Sequence, residues 1–358
     1  MLINLITAWK DSALPEILNE NKLSEAKEIQ NLVVAQSSFQ FDTPPRVVFV
    51  KDMHTQEEAT HYGDLPVVSL QAEEQKIYDQ TLSQLSANKN FYNGNQIVLT
   101  GAVYDTSSNT LYLEALRVDY VFLVTLEKMK ATKSKGSALH HKDFFKTGVL
   151  APFISNDDKV SIIARKDKWT LRSVAAGFLE CDDAAQPLKD LITETASKEA
   201  DEEFALDRAG KRRFDFVGSA TVASISFRDV IGMGMTPTIE FVAPIRIKQD
   251  ANFILSIMNN NEAIDAHEHV AGSAISVSVA ADEREMATHF MRQKLPGNFL
   301  YGPVLHACAV QVNQGMQFAR RISEIHDSRF YPIGIFKPTP KKSLPDYSVD
   351  ERVSHLKK

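Results

Sequence analysis

The feature that most constrains this chain is a short acidic run, Lys198-Glu199-Ala200-Asp201-Glu202-Glu203-Phe204-Ala205-Leu206. In a helix, Glu199, Glu202 and Glu203 stand at i, i+3 and i+4 and share one face. Ala196, Ala200 and Phe204 form a second stripe at steps of four, which docks the same helix on a core. Like charges at these spacings repel each other and weaken an isolated helix. Two readings follow. Either the helix presents a solvated acidic face, or its carboxylates gather a hard divalent cation, since Mg²⁺ and Mn²⁺ take oxygen ligands.

The flanking sequence favours the cation. Residues Val160 to Ala164 read as a buried strand, followed by a charged turn and a second apolar run that ends at Gly177. Gly177-Phe178-Leu179-Glu180 is then a glycine loop leading to a glutamate. In this order the pieces resemble the Nudix box, a glycine loop and glutamate followed by Arg-Glu-apolar-x-Glu-Glu-x-Gly-apolar. Lys198 stands where the family has arginine, and Ala205 where it has its late glycine. Asp183 matches the family's next acidic position, and the loop between it and Lys198 is longer than the family spacing. The resemblance covers roughly residues 145–325.

The resemblance implies an α/β fold, a Nudix-like α/β/α sandwich with a mixed sheet. It also implies a Mg²⁺- or Mn²⁺-dependent hydrolase that cleaves a nucleoside diphosphate linked to another group. Glu199, Glu202 and Glu203 are carried over as metal ligands and catalytic residues, with Glu180 as a supporting acid near the cation and Gly177 beside the substrate. Lys198 supplies positive charge next to the carboxylates, without the planar fork of arginine. Ala205 ends a helix but reaches a left-handed cap only at a cost. These departures fit a second reading too, a ligand-binding or protein-interaction module with little turnover.

Other charged residues have two readings each. Arg165, at the end of a strand upstream of the glycine loop, either grips a diphosphate bidentately or sits in a surface ion pair. Lys211-Arg212-Arg213 reaches a phosphate or forms a solvated turn. A base for an attacking water is expected on a later loop, from Glu262, Asp265, Glu268 or Glu283. His267-Glu268-His269 lacks the spacing that sets two imidazoles on one helical face, which argues against zinc. Gly232-Met233-Gly234-Met235 lacks the third glycine of a dinucleotide fingerprint and reads as a substrate-side loop.

A chain of 358 residues is long for one domain. The expected division is an N-terminal α+β domain at 1–140, a Nudix-like domain at 141–325, and an extended, proline-rich tail at 326–358. Within the first, residues 1–38 read as short helices, one of them starting at Ser24 and running through Val33 and Val34. Arg46–Val50 and Leu65–Leu70 read as strands and Gln71–Lys89 as a helix. Gln96–Tyr104 and Thr110–Arg117 form a hairpin across a turn-rich spacer, and Asp119–Leu126 is a third β-prone run. This unit is expected to have its own small core, and basic, polar Lys128–Gly136 to link it onward. Further on, strands are expected at 150–154, 160–164, 214–220, 221–227, 238–247 and 274–280, and helices at 251–258, 283–293 and 300–322.

Composition narrows the function classes. A net charge of −6 argues against a protein that coats nucleic acid or an anionic membrane. Cys181 and Cys308 make no disulfide framework, so a reducing, cytoplasmic setting and free thiols are expected. No apolar run reaches membrane-spanning length, and Met1–Glu16 lacks the basic start of a signal peptide. The expected partner is a small nucleotide substrate. The long insertions favour a bulky one such as ADP-ribose or a nucleotide sugar, and a homodimer is kept open as the assembly.

Overall fold

A computed structural model describes residues 2–7, 14–17, 33–41, 43–89, 91–131, 144–164, 172–231, 236–260, 262–263, 265–279 and 334–335. In the first half, β1 (Leu2–Asn4), β2 (Leu14–Ile17), β3 (Val33–Gln40) and β4 (Arg46–Val50) precede α1 (Ala72–Ser86). The hairpin of β5 (Asn95–Asp105) and β6 (Thr110–Asp119) leads into α2 (Tyr120–Ala131). Then come β7 (Phe145–Ala151), β8 (Phe153–Ile154), β9 (Lys159–Ala164), β10 (Arg172–Ser173), β11 (Ala175–Phe178) and β12 (Glu180–Cys181). Helix α3 (Leu191–Ala200) continues into a π-helical turn, Asp201–Ala205. Strands β13 (Ser224–Ile231), β14 (Thr238–Val242) and β15 (Ile245–Arg246), helix α4 (Ala251–Asn260), and strands β16 (Ile275–Ser278) and β17 (Gly334–Ile335) complete the described elements.

The fold is mixed α/β. The larger sheet runs β17-β3-β13-β14-β7-β5-β6-β4, with β1, β2, β11 and β12 paired off that path. Its β14–β7 and β4–β6 pairs are parallel, whereas β5–β6 and β13–β14 are antiparallel. A smaller sheet runs β10-β9-β8-β15, with β16 on β9. Strands from before and after residues 132–143 therefore share one sheet. One hydrophobic core also extends from Ile3 to Met258. A second, smaller core lies where α1 and α2 cover the β5–β6 hairpin, around Val98, Phe122, Leu126 and Phe144. The first half thus has a small core of its own, but its other face belongs to the main one. The expected boundary at 140/141 lies outside the described residues.

Several elements match the sequence reading, including β4, α1, the β5–β6 hairpin, β9, β14 and α4. Others differ, and residues 1–38, expected as short helices, include strands β1, β2 and most of β3. Val33 and Val34 are in a strand and not in a helix. The backbone of β3 pairs antiparallel with β13 along its whole length, from Val33 opposite Ile231 to Gln40 opposite Ser224. The β-prone run after Asp119 is helix α2, because the Asp119 carboxylate accepts the Phe122 N–H at 2.8 Å and Asn93 Oδ1 accepts the Val121 N–H at 3.0 Å. Leu65–Leu70 makes only an isolated bridge at Val67, since Pro66 has no N–H for a ladder. Residues 214–220 likewise make one bridge, at Phe216, and Gly218 turns the chain at φ 77°. Lys128–Ala131 of the expected linker is the last turn of α2. The expected helices at 283–293 and 300–322, and the tail apart from β17, lie outside the described residues.

Candidate active site

The helix α3 lies across β11 and β7. Its period-four stripe is buried as expected, with Ala196 and Ala200 fully covered and Phe204 meeting the Phe153 ring edge-on at 5.7 Å. Burying a ring of this size contributes about 2 kcal/mol. Beyond Ala200 the backbone widens. The Leu206 N–H reaches back five residues to the Asp201 carbonyl at 2.8 Å. Such π turns recur at functional sites. The turn is held from outside by the basic triplet. Arg212 pairs with Asp201 at 2.7 Å while lying over the Phe216 ring. Arg213 donates to the Phe204 carbonyl at 2.6 Å, and its N–H donates to the carbonyl of Ala205. These two arginines close the helix end, where carbonyls lack partners. They are engaged with the turn, and the phosphate reading of the triplet has no support from them.

The three glutamates stay close enough to act on one another, but they differ in burial. Glu199 and Glu202 are partly exposed, whereas Glu203 is buried. Glu199 packs against Gly177 of β11. A Cβ on that glycine would lie 1.9 Å from Glu199 Oε1, so only glycine accommodates the side chain where it stands. Glu203 Oε1 accepts the N–H of neighbouring Ala176 at 3.0 Å. Glu180 on β12 stays exposed and takes a 2.6 Å hydrogen bond from Gln96 Nε2 of β5. The two ends of the glycine-to-glutamate pattern thus meet across β11 and α3.

The electrostatics follow from this crowding. Burial, then Glu203 and Glu202, push the Glu199 carboxyl up to about 8, and Lys198 opposes the shift. Burial also raises Glu202, with Lys198 opposing and Asp265 and Glu180 reinforcing. Lys198 is exposed at the rim of the turn. The longer loop before α3 has a clear structural role. Its backbone pairs with residues 60–63, with Tyr62 N–H to Gln186 O at 2.9 Å and Gly63 N–H to Ala184 O at 2.8 Å. Asp183 is exposed on that loop, where its carboxylate accepts the Ala185 N–H at 2.7 Å.

Of the candidate bases, Asp265 comes to the site. Its N–H donates to the Glu202 carbonyl at 3.2 Å. Glu262 is exposed and faces Arg213. The Glu268 side chain, Glu283, Arg165 and the 232–235 loop lie outside the described residues. The sequence reading missed His269. It is fully buried, with Nε2 3.2 Å from Glu203 Oε2 and its ring 5.0 Å from that of Phe204. Nothing in the local sequence marks this pairing, which joins residues far apart along the chain. A cleft of about 1000 Å³ lies on another flank of α3, between Arg46, Thr193 and Ser197, and none of the three glutamates lines it.

As placed, no three histidine, cysteine, aspartate or glutamate side chains converge into a metal cage among the described residues. Mg²⁺ seldom needs one, because it is commonly held by one or two carboxylates together with substrate phosphates and water. The oxygen donors of Glu199 and Glu202, partly exposed and side by side on one turn, fit that mode. No helix among the described residues is long and apolar enough to cross a membrane. Cys181 is a free, buried thiol, and Cys308 lies outside the described residues.

No protein-family model matches the sequence, and no curated protein matches it significantly. Among solved structures, a NUDIX hydrolase from Nitrosomonas europaea is 16% identical, covering 48% of this chain and 90% of its own, with a TM-score of 0.30. Tm1382, a candidate Nudix hydrolase, is 12% identical, covering 62% of this chain and all of its own, with a TM-score of 0.28. Both neighbours carry the Nudix description, at a likeness too distant to assign a family or an activity to this chain.

Proposed function

We propose that this protein is a Nudix-type hydrolase acting with Mg²⁺ or Mn²⁺ on a diphosphate linkage. The observation that carries the reading is the contact of Gly177 with Glu199. It seats a bare stretch of backbone and a carboxylate side by side, with Glu202 and Glu180 in electrostatic reach. When bound, the divalent cation neutralises diphosphate charge and makes water more acidic. Glu199 and Glu202 hold it, and Lys198 at the rim meets a phosphate oxygen. Asp265, on the facing loop, takes the proton of the attacking water. The water oxygen bonds to one phosphorus, the bridging P–O bond breaks, and the bridging oxygen leaves on the other phosphate. ADP-ribose and nucleotide sugars are the proposed substrate class.

The test is a turnover screen of nucleoside diphosphate derivatives with Mg²⁺ and Mn²⁺, beside melting curves with and without each metal. The reading expects turnover of at least one substrate, metal-dependent stabilisation by mass action, and loss of both in Glu199→Gln and Glu202→Gln. Wild-type turnover that survives both substitutions would place the chemistry elsewhere. Ligand-induced stabilisation with no turnover would instead make the protein a binding module.

A further inference from the structure

Glu203 sits at the third acidic position of the box-like run, yet it differs from its neighbours in every physical respect. Its side chain is 3% exposed, whereas Glu199 and Glu202 reach solvent. One oxygen accepts the Ala176 N–H of β11, beside Gly177. The other lies 3.2 Å from His269 Nε2, in a polar contact short of full hydrogen-bond alignment. His269 is 0% exposed, and its ring packs on Phe204, the next residue of the turn. A buried carboxylate is costly unless it is paired, and this contact offsets part of that cost. His269 also ends the short 3₁₀ turn Ala266–Glu268, and Asp265 stands at the start of that turn.

We propose that Glu203 and His269 form a buried tie, and that His269 is a positioning residue acting through it. Resting on the hydrolase reading above, the tie fixes three pieces against one another: β11 at Ala176, the acidic turn, and the loop that presents Asp265. Glu203 is then not a metal ligand, and a divalent cation is left to Glu199 and Glu202. This departs from the role that the resemblance gives to Glu203.

The full-length chain tests this with Mn²⁺ alone as probe, titrated by calorimetry, and with metal-free melting curves. Glu203→Gln keeps an acceptor for Ala176 and should hold Mn²⁺ within about fivefold of wild type, the scale of one screened charge. Glu199→Gln should lose binding. In the melts, His269→Phe keeps a ring against Phe204 and removes the nitrogen. It should lower Tm, and His269→Gln, with an amide nitrogen in similar reach, should restore most of the loss. The Glu203→Gln/His269→Phe double variant should lose less than the sum of the single losses, as coupled residues do. Additive losses, or no rescue by glutamine, would overturn the tie. Loss of Mn²⁺ binding in Glu203→Gln, with the fold intact, would make Glu203 a ligand and overturn the assignment. Should wild type bind no Mn²⁺, the metal reading falls, and the melts alone uphold or reject the tie.

Discussion

Gly177 and Glu199 occupy the same small space from opposite sides. A methyl group on the glycine would sit 1.9 Å from one carboxylate oxygen and 2.1 Å from the carboxyl carbon. The obstruction is the far end of a flexible side chain, so it yields by rotation. Gly177→Ala should therefore cost little stability, about 1 kcal/mol, at the low end for overpacking. It should cost the site much more, because Glu199 must swing out of place. A melting curve near that of wild type, with Mn²⁺-dependent stabilisation lost, is the expected pair of results. Retained stabilisation would show that Glu199 works equally well from another rotamer.

Asp157 joins the smaller sheet to α4. Its Oδ1 accepts the Ala251 N–H at 3.0 Å at the start of that helix and the Ser155 hydroxyl at 2.6 Å, while Oδ2 pairs with Lys159 at 2.8 Å. Asp157→Ala removes these partners at once and leaves the Ala251 N–H, at the buried start of the helix, without its acceptor. The expected loss is about 1 kcal/mol, as for a helix cap, read as a lower denaturant midpoint with an unchanged slope. Asp157→Asn, which keeps one acceptor oxygen, should lose less.

Much of this arrangement was legible in the sequence. The stripe Ala196, Ala200 and Phe204 is buried because a helix repeats its face every four residues. The Asp105–Asn109 spacer closes the β5–β6 hairpin, with the Asp105 carboxylate accepting from Ser107 and Ser108. The π turn over Asp201–Ala205 and the burial of Glu203 within it were not legible, because the turn is fastened by Arg212 and Arg213, whose partners are chosen by tertiary packing. His269 was invisible for the same reason. Val33 and Val34 misled because a short apolar run reads equally as strand or helix until its neighbour is known.

Asp265 carries the prediction about the base. It reaches the acidic turn through its backbone, and its charge raises Glu202. Asp265→Asn keeps the shape and removes the proton acceptor. On a substrate that wild type turns over, kcat should fall about 10²- to 10⁴-fold. Metal-dependent stabilisation should persist, since Glu199 and Glu202 are untouched. An unchanged kcat would exclude Asp265 as the base.

The last prediction concerns pH. Burial, with Glu203 and Glu202 beside it, moves the Glu199 carboxyl from its ordinary 4.5 up to about 8 in the cation-free fold. Between those values the folded state binds a proton that the unfolded chain has released. Stability therefore falls as pH rises through this window. The contribution of Glu199 is fully present below about pH 4.5 and is lost above about pH 8. Glu202, raised in the same direction, adds to the slope. Metal-free melting curves from pH 5 to 8 should show Tm declining in wild type and declining less in Glu199→Gln, which has no proton to lose there. A divalent cation should reverse the trend. It competes with that proton, so Mn²⁺ affinity should rise with pH up to about 8 and binding should release protons. Equal slopes for wild type and Glu199→Gln would mean that Glu199 is ionised at pH 7 and that the carboxylates are not crowded in solution.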